Sequence, residues 1–321
     1  MKRGRKCAAS AAFPLLMVAL SGCHARDTRK LVAIIVPSQD NPYFKAEADA
    51  AARRATELGY RVRVDAHDDD AYRQDNLIDA AIASNAAILI LDNAGTDASI
   101  SAVRRATKAG IVCFLIDREI TAKGIAKAQI VSDNDQGARL VAAEFSRAMG
   151  DKGEYVELLG RESDTNAQVR TKGFHAVLDE ESGLKMVSAQ SANWSQAEAF
   201  QKTETMLQAH GHIGGIIAGN DTMALGAAAA VKSAGLKGLK ITGFDGSPDA
   251  VAAITSGEIQ ATALQPAVLI SEMAVNEADK FLKTGSTGKP EMQVIPCDLV
   301  TKANAAEYVE FEKVAKDNAG H

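Results

Sequence analysis

From Leu31 onward, short apolar runs alternate with longer stretches in which apolar positions recur at helical spacing. The runs predict strands at 31–36, 60–64, 87–91 and 111–116, and the periodic stretches predict helices at 46–58, 71–84 and 98–109. Gly59 and Gly110 stand where helices are expected to stop. The rhythm then restarts. A short strand ends at Ile130-Val131, and strands follow at 155–159, 186–189, 215–218, 239–243 and 259–264. Helices are expected at 136–149, 167–179, 196–209, 223–234, 248–256 and 268–282. Two such β-α series in succession predict an α/β protein of two doubly wound, parallel-sheet lobes. The length of 321 residues fits two domains of ordinary size.

The first thirty residues break this pattern. Lys2, Arg3, Arg5 and Lys6 form a basic start, followed by an apolar stretch from Ala8 to Leu20 that is too short for a mature membrane span. Leu20-Ser21-Gly22-Cys23 comes next and is similar to the lipobox of bacterial lipoproteins. That likeness implies a signal peptide over 1–22, acylation of Cys23, a tether over 23–30, and a place in the cell envelope, periplasmic or extracytoplasmic.

The net charge of −5 includes those four basic residues, so the body is more acidic than the whole chain. An acidic body without a basic stripe argues against a nucleic-acid partner. The four cysteines show no CxxC or metal-ligand spacing. Cys7 falls in the leader, Cys113 sits in an apolar strand, and nothing in the spacing favours pairing Cys113 with Cys297. His67-Asp68-Asp69-Asp70 reads as a solvated turn before a helix, and His210-Gly211-His212 as a helix end. Neither is expected to bind a metal, and no cofactor is expected.

Open parallel sheets bind ligands beyond the carboxyl ends of their strands. The residues found there are Asn41 with Tyr43 and Phe44, Asp92, Asp117 with Arg118, Asn166 with Arg170, Trp194, Asn220, Asp245 and Gln265. Asp and Asn accept from hydroxyls, Arg donates in a fixed fork, and aromatic rings cover C–H faces. Together they suit a sugar or polyol. Each has a plainer explanation. Asp221 is expected to cap a helix. Asp117-Arg118 could be a structural ion pair, Trp194 could be core, Tyr43-Phe44 could pack the first helix, and Arg170 could be a surface charge. It is their recurrence after nearly every strand that favours a binding cleft.

Asn41-Pro42-Tyr43-Phe44, Thr96-Asp97-Ala98, Leu115-Ile116-Asp117-Arg118, Ser132-Asp133-Asn134, Arg170-Thr171-Lys172-Gly173-Phe174, the block from Gly219 to Gly226, Gly243-Phe244-Asp245-Gly246 and Gln265-Pro266 occur in order. With these blocks the chain resembles the ribose-type periplasmic binding proteins, the type I or cluster B solute-binding proteins of ABC transporters. The resemblance runs from about Leu31 to about Val300. It implies a substrate-binding component that closes on a pentose-like monosaccharide or sugar alcohol and passes it to an ABC permease and ATPase. It also implies a monomer, and a three-segment hinge with crossings near Ser132, Pro266 and Glu291. The lobes would then be 31–131 with 266–290, and 132–265 with 291–318. The same likeness implies that Asn41, Tyr43, Phe44, Asp117, Arg118, Arg170, Trp194, Asn220, Asp245 and Gln265 contact ligand, and Asp92 and Asn166 join them as strand-end residues. The ribose proteins carry an amide where this chain has Asp92, and usually phenylalanine where it has Trp194, so ribose itself is not implied.

Two other classes fit the sequence less well. A LacI-type regulator uses the same core but needs a helix-turn-helix in front, where this chain has a basic-apolar leader. An enzyme on this scaffold would show GxGxxG, GxxxxGK[ST] or GxSxG, and none occurs.

Overall fold

A computed structural model describes Met1 and residues 28–313. The leader, Cys7 and Cys23 lie outside the described residues. The N-terminal lobe runs β1 (Leu31–Val36), α1 (Pro42–Glu57), β2 (Arg61–Ala66), α2 (Ala71–Ala83), β3 (Ile88–Leu91), α3 (Ile100–Lys108), β4 (Val112–Ile116) and β5 (Ala128–Ser132). The C-terminal lobe follows with α4 (Asn134–Met149), β6 (Gly153–Leu159), α5 (Thr165–Leu178), β7 (Leu184–Ser191), α6 (Gln196–Ala209), β8 (Ile213–Ala218), α7 (Asp221–Ser233), β9 (Lys240–Thr242), α8 (Pro248–Ser256) and β10 (Ala261–Leu264). The chain then returns through α9 (Ala267–Thr284) and β11 (Met292–Ile295), and continues as β12 (Asp298–Thr301), a single 3-10 turn, and a hairpin of β13 (Tyr308–Val309) and β14 (Glu312–Lys313).

The central strands β1, β3, β4 and β5 are buried along their whole length, because helices cover both faces of a parallel sheet. One face of β1 packs Val32, Ile34 and Val36 with α1 and α9, while Leu31, Ala33 and Ile35 pack with α2 and α3. The two sheets repeat one order. The first reads β11-β5-β4-β3-β1-β2 and the second β12-β10-β9-β8-β6-β7. In each, the first strand of the lobe lies between the second and third, which places a topological switch point between β1 and β3 and another between β6 and β8.

α1 begins four residues before its apolar periodicity does. Asn41 Oδ1 accepts the Tyr43 N–H at 3.0 Å, and Pro42 fills the first helical position. α5 begins at Thr165 because Asp164 caps it through the Asn166 N–H at 2.9 Å.

The first two crossings between lobes fall at Asp133 and at Gln265-Pro266. The third does not fall near Glu291. β11 still pairs in parallel with β5, Met292 opposite Gln129, and so belongs to the N-terminal lobe. Its inward side chain is the amide of Gln293, tied to Glu277 at 2.8 Å, while Met292 and Val294 face outward, so the apolar alternation of the strand points the wrong way. The chain crosses at Pro296-Cys297 and enters β12, antiparallel to β10. Gln136 holds that crossing: its Nε2 donates to Cys297 O at 3.0 Å and its Oε1 accepts the Cys297 N–H at 2.9 Å. The segment after 291 is therefore not wholly part of the C-terminal lobe. Tyr308 packs in the C-terminal core, whereas Phe311 packs in the N-terminal core, its ring edge-on to Tyr43 at 5.8 Å.

Cys113 and Cys297 are free, buried thiols. Among the described residues, no helix is long and apolar enough to cross a membrane.

Candidate ligand site between the lobes

The loops leaving the two switch points face each other across a narrow gap. Every strand-end residue named from the sequence lines it except Asn41 and Asp92, and Asp164 joins them. Asn41 spends its carbonyl oxygen on the α1 cap and faces a neighbouring rim groove with Asp69 and Trp194. Asp92 is fully buried one layer back, its Oδ1 3.5 Å from Arg118 Nε.

On the N-terminal side, Asp117 ends β4 with φ of 56°, a left-handed conformation that aspartate tolerates better than most residues. Tyr43 Oη donates to its Oδ1 at 3.4 Å, and the Arg118 guanidinium lies over Phe44 at 5.0 Å. Arg118 is nearly without solvent yet meets four carboxylates. Its Nη1 donates to Asp69 Oδ1 at 2.8 Å, and its Nε lies 2.8 Å from Asp164 Oδ2, 3.5 Å from Asp92 and 3.8 Å from Asp117. The Nε–H does not point along the Asp164 contact, so that approach is an ion pair rather than a hydrogen bond. Burial opposes the Arg118 charge, but these carboxylates raise its pKa well above the usual value.

On the C-terminal side, Arg170 is a buried hub rather than a surface charge. Its Nε donates to Asn134 Oδ1 at 2.8 Å, and its Nη1 donates to Gly219 O at 2.9 Å and to Asp245 Oδ1 at 3.3 Å. Asn134 Nδ2 donates in turn to Asn166 Oδ1 at 3.1 Å, and Asn166 Nδ2 reaches Asp117 Oδ1 across the gap at 3.2 Å. Gln265 Nε2 donates to Asp245 Oδ1 at 2.8 Å. Trp194 is held at φ of 65°, a costly position for an aromatic residue, with its Nε1–H donated to Asp164 Oδ2 at 3.1 Å. Only a glycine fits beneath it, because a Cβ at Gly160 would fall inside the indole ring.

The gap is acidic and deeply buried. Burial pushes Asp117 up to about 6, with Arg118 and Arg170 opposing. Burial also raises Asp92, Asp245 and Glu47 well above the carboxylate range. Tyr43 is raised too and stays a donor. Several buried polar atoms have no hydrogen-bond partner among the described residues: Arg118 Nη2, Gln265 Oε1, both Asp92 oxygens and both Glu47 oxygens. Each such atom costs about 1–3 kcal/mol unless something meets it.

Sequence reading missed four contributors. Asp164 precedes its helix and gives only a cap signal. Glu47 sits in α1 one turn beyond Tyr43 and Phe44, hence on their face, but among alanines and charges it reads as solvated. Asn134 lies in the Ser132-Asp133-Asn134 block, which by itself gives it no ligand role. Asp69 reads in the sequence as part of a solvated turn. Instead His67 is fully buried. Its Nδ1 accepts the Asp69 N–H at 3.1 Å, so Nε2 carries the proton and donates to Asp92 O at 2.8 Å. Burial lowers His67 to about 4. Asp70 caps α2, and Asp69 turns to Arg118.

Asp221 is not the cap of α7 either. Asn220 is the cap, accepting the Met223 N–H at 2.9 Å. Asp221 instead accepts from Thr262 Oγ1 and Ser247 N, each at 2.6 Å, and burial raises it to about 7. Among the described residues, no group of three or more His, Cys or acidic side chains is arranged to hold a metal ion.

The profile of the periplasmic binding protein domain matches residues 32–287. The D-apiose import binding protein of Paraburkholderia graminis is 56% identical over 311 residues, 97% of this chain and 99% of that protein. The protein of the same name from Actinobacillus succinogenes is 54% identical, covering 88% of this chain and 91% of its own. Among solved structures, an ABC transporter periplasmic solute-binding protein from Actinobacillus succinogenes with bound D-allose superposes with a TM-score of 0.82 at 29% identity. That match covers 87% of this chain and 100% of the other.

Proposed function

Because the chain belongs to the periplasmic binding protein family, we propose that its inter-lobe gap captures D-apiose, a branched pentose. The coarser statement holds without that step. The protein is the substrate-binding component of an ABC importer, works outside the cytoplasmic membrane, and belongs with transport proteins rather than enzymes. The observation that carries the finer reading is the composition of the gap. Buried donors and acceptors without a hydrogen-bond partner stand there beside three aromatic rings. A monosaccharide supplies hydroxyls that both donate and accept, above apolar C–H faces. In this reading Asp117, Arg118, Asn166, Arg170, Asn220, Asp245 and Gln265 hold hydroxyls, while Tyr43, Phe44 and Trp194 enclose the ring. Asp92 and Asn41 act from behind and from the rim. The sharing of the name D-apiose by two relatives above half identity supports the choice of sugar. The protein would work as a monomer, tethered through an acylated Cys23.

A thermal-shift and calorimetric comparison of D-apiose, D-ribose, D-allose and myo-inositol tests the reading, since a ligand that binds only the native state raises its melting temperature. D-apiose is expected to give the largest shift and the tightest binding. Binding of another of these sugars with no response to D-apiose would reject D-apiose and keep the importer assignment.

A further inference from the structure

Four charged side chains alternate in sign across the mouth of the cleft. Arg161 follows β6 on the C-terminal lobe, and its Nε lies 3.4 Å from Asp69 Oδ2 on the N-terminal lobe. Asp69 Oδ1 takes the Arg118 Nη1–H at 2.8 Å within that lobe. Arg118 Nε then lies 2.8 Å from Asp164 Oδ2, back on the C-terminal lobe. The series Arg161, Asp69, Arg118, Asp164 therefore spans the cleft twice. Its inner end also holds the aromatic wall, because the same Asp164 oxygen accepts the Trp194 indole N–H. The other Asp164 oxygen caps α5.

We propose that Asp164 is a positioning residue for the closed site, and that with Arg161 and Asp69 it forms a cross-lobe latch that sets apparent sugar affinity by stabilising closure. The proposal rests on the gap being the sugar site. Its physical basis is which contacts survive separation of the lobes. Arg118 keeps Asp69, Asp92 and Asp117 in any lobe arrangement, because all four belong to one lobe. Asp69 likewise keeps Arg118. The Arg118–Asp164 and Asp69–Arg161 contacts exist only when the lobes are shut, and only interactions that differ between two states shift their populations. Apparent affinity scales with the fraction of protein already in the competent state, so strengthening closure tightens binding without touching the sugar.

The two contacts differ in weight. The Arg118 and Asp164 side chains are 3% and 4% exposed, where charges interact strongly. The Arg161 side chain is 34% exposed, so its pair with Asp69 is partly screened. Asp164→Asn keeps one oxygen for the α5 cap, removes the charge, and turns an amide NH2 group toward the indole in place of the second oxygen. It is expected to weaken binding on the order of 10–100-fold. Arg161→Gln is expected to weaken it by about 2–5-fold.

The experiment measures D-apiose affinity by Trp194 fluorescence and calorimetry for wild type, Asp164→Asn, Arg161→Gln, Asp69→Asn and the Arg161→Gln/Asp69→Asn double variant. Measurements are made at low salt and at about 1 M salt, where the screening length is about 3 Å. Two results are expected. Wild-type affinity for the uncharged sugar falls with salt, and falls less in Asp164→Asn. The Arg161 and Asp69 substitutions are non-additive in affinity but additive in the melting temperature of the sugar-free protein, as a contact made only on closure requires. A purely structural role would move the melting temperatures instead. Asp164→Asn with wild-type affinity and a wild-type salt slope overturns the latch. If D-apiose does not bind wild type, the sugar reading fails, and the same salt series is run with whichever of D-ribose, D-allose and myo-inositol binds. A smaller salt slope in Asp164→Asn with that ligand supports the latch, and a wild-type slope overturns it.

Discussion

The Cζ of Arg170 sits 3.9 Å from the centre of the Phe244 ring, with Trp194 on the same guanidinium at 5.4 Å. The plane of the side chain is thus fixed by rings, while its edge is left for Asn134, Gly219 and Asp245. A planar, always charged fork is the only side chain that meets both demands.

Arg170→Lys is accordingly not conservative here. A lysine keeps the charge but neither stacks nor spans three acceptors. Sugar affinity is expected to fall on the order of 10–100-fold by calorimetry. Wild-type affinity in this variant would mean that charge alone is used.

Gly160→Ala tests the support of the aromatic wall. The added methyl must displace Trp194, at an overpacking cost of about 1–3 kcal/mol. Because Trp194 is the single tryptophan, its emission reports the displacement directly. The variant should show shifted emission before sugar is added and weaker binding afterwards. An unchanged spectrum would show that the loop absorbs the methyl elsewhere.

Arg118→Ala leaves Asp69, Asp92, Asp117 and Asp164 around an empty place. Removing one member of a buried charge cluster costs about 3–5 kcal/mol. The loss should be largest at neutral pH and shrink as pH falls, because protonating the orphaned carboxylates removes their repulsion. Denaturant melts across pH measure this, and a loss that grows on acidification would contradict the assigned charges.

His175 offers a pH test away from the cleft. Its Nε2 lies 3.1 Å from the buried Glu157 and its Nδ1 lies 3.0 Å from Asp179. The hydrogen bond with Glu157 leads in raising it from 6.5 to about 9. The folded state therefore holds this proton more tightly than the unfolded chain does. The stability it confers is complete below about pH 6.5 and is lost as pH rises through about 9. His175→Gln should flatten the stability profile in that window. A variant that still weakens by the same amount from pH 6.5 to 9 would place the titration elsewhere.

Cys23→Ala tests the proposed anchor. Metabolic labelling with a fatty acid should mark the wild-type protein and leave the variant unlabelled. Label that persists in the variant would remove Cys23 from the tether.

Strand ends were the legible part of the molecule. Leu31–Val36 is apolar at every position, which only a strand covered on both faces requires. The polar residue that follows such a run stands out against it, which is how Asp117, Arg118 and Gln265 could be named. Asp164 and Glu47 could not, because a helix cap and a helical acid are common for reasons unrelated to ligands. Their importance comes from partners far along the chain, Arg118 and Trp194 for the one, Asp92 and Asp117 for the other. The third crossing was misplaced for a related reason. The strand of Met292–Ile295 is short and lies at a sheet edge with an amide facing inward, so its membership is decided by pairing to Gln129 and its neighbours rather than by its own composition.

The terminal hairpin places Tyr308 in one core and Phe311 in the other, and Glu310 and Phe311 form its turn at φ of 52° and 64°. Phe311 touches Tyr43, a wall of the gap, although more than two hundred residues separate them in the chain. Reporter domains, purification tags and truncations are commonly placed at the carboxyl end of receptors on the assumption that it is inert. In this protein a truncation that removes Phe311 would take away a ring packed against Tyr43, so a shortened receptor should keep the whole hairpin.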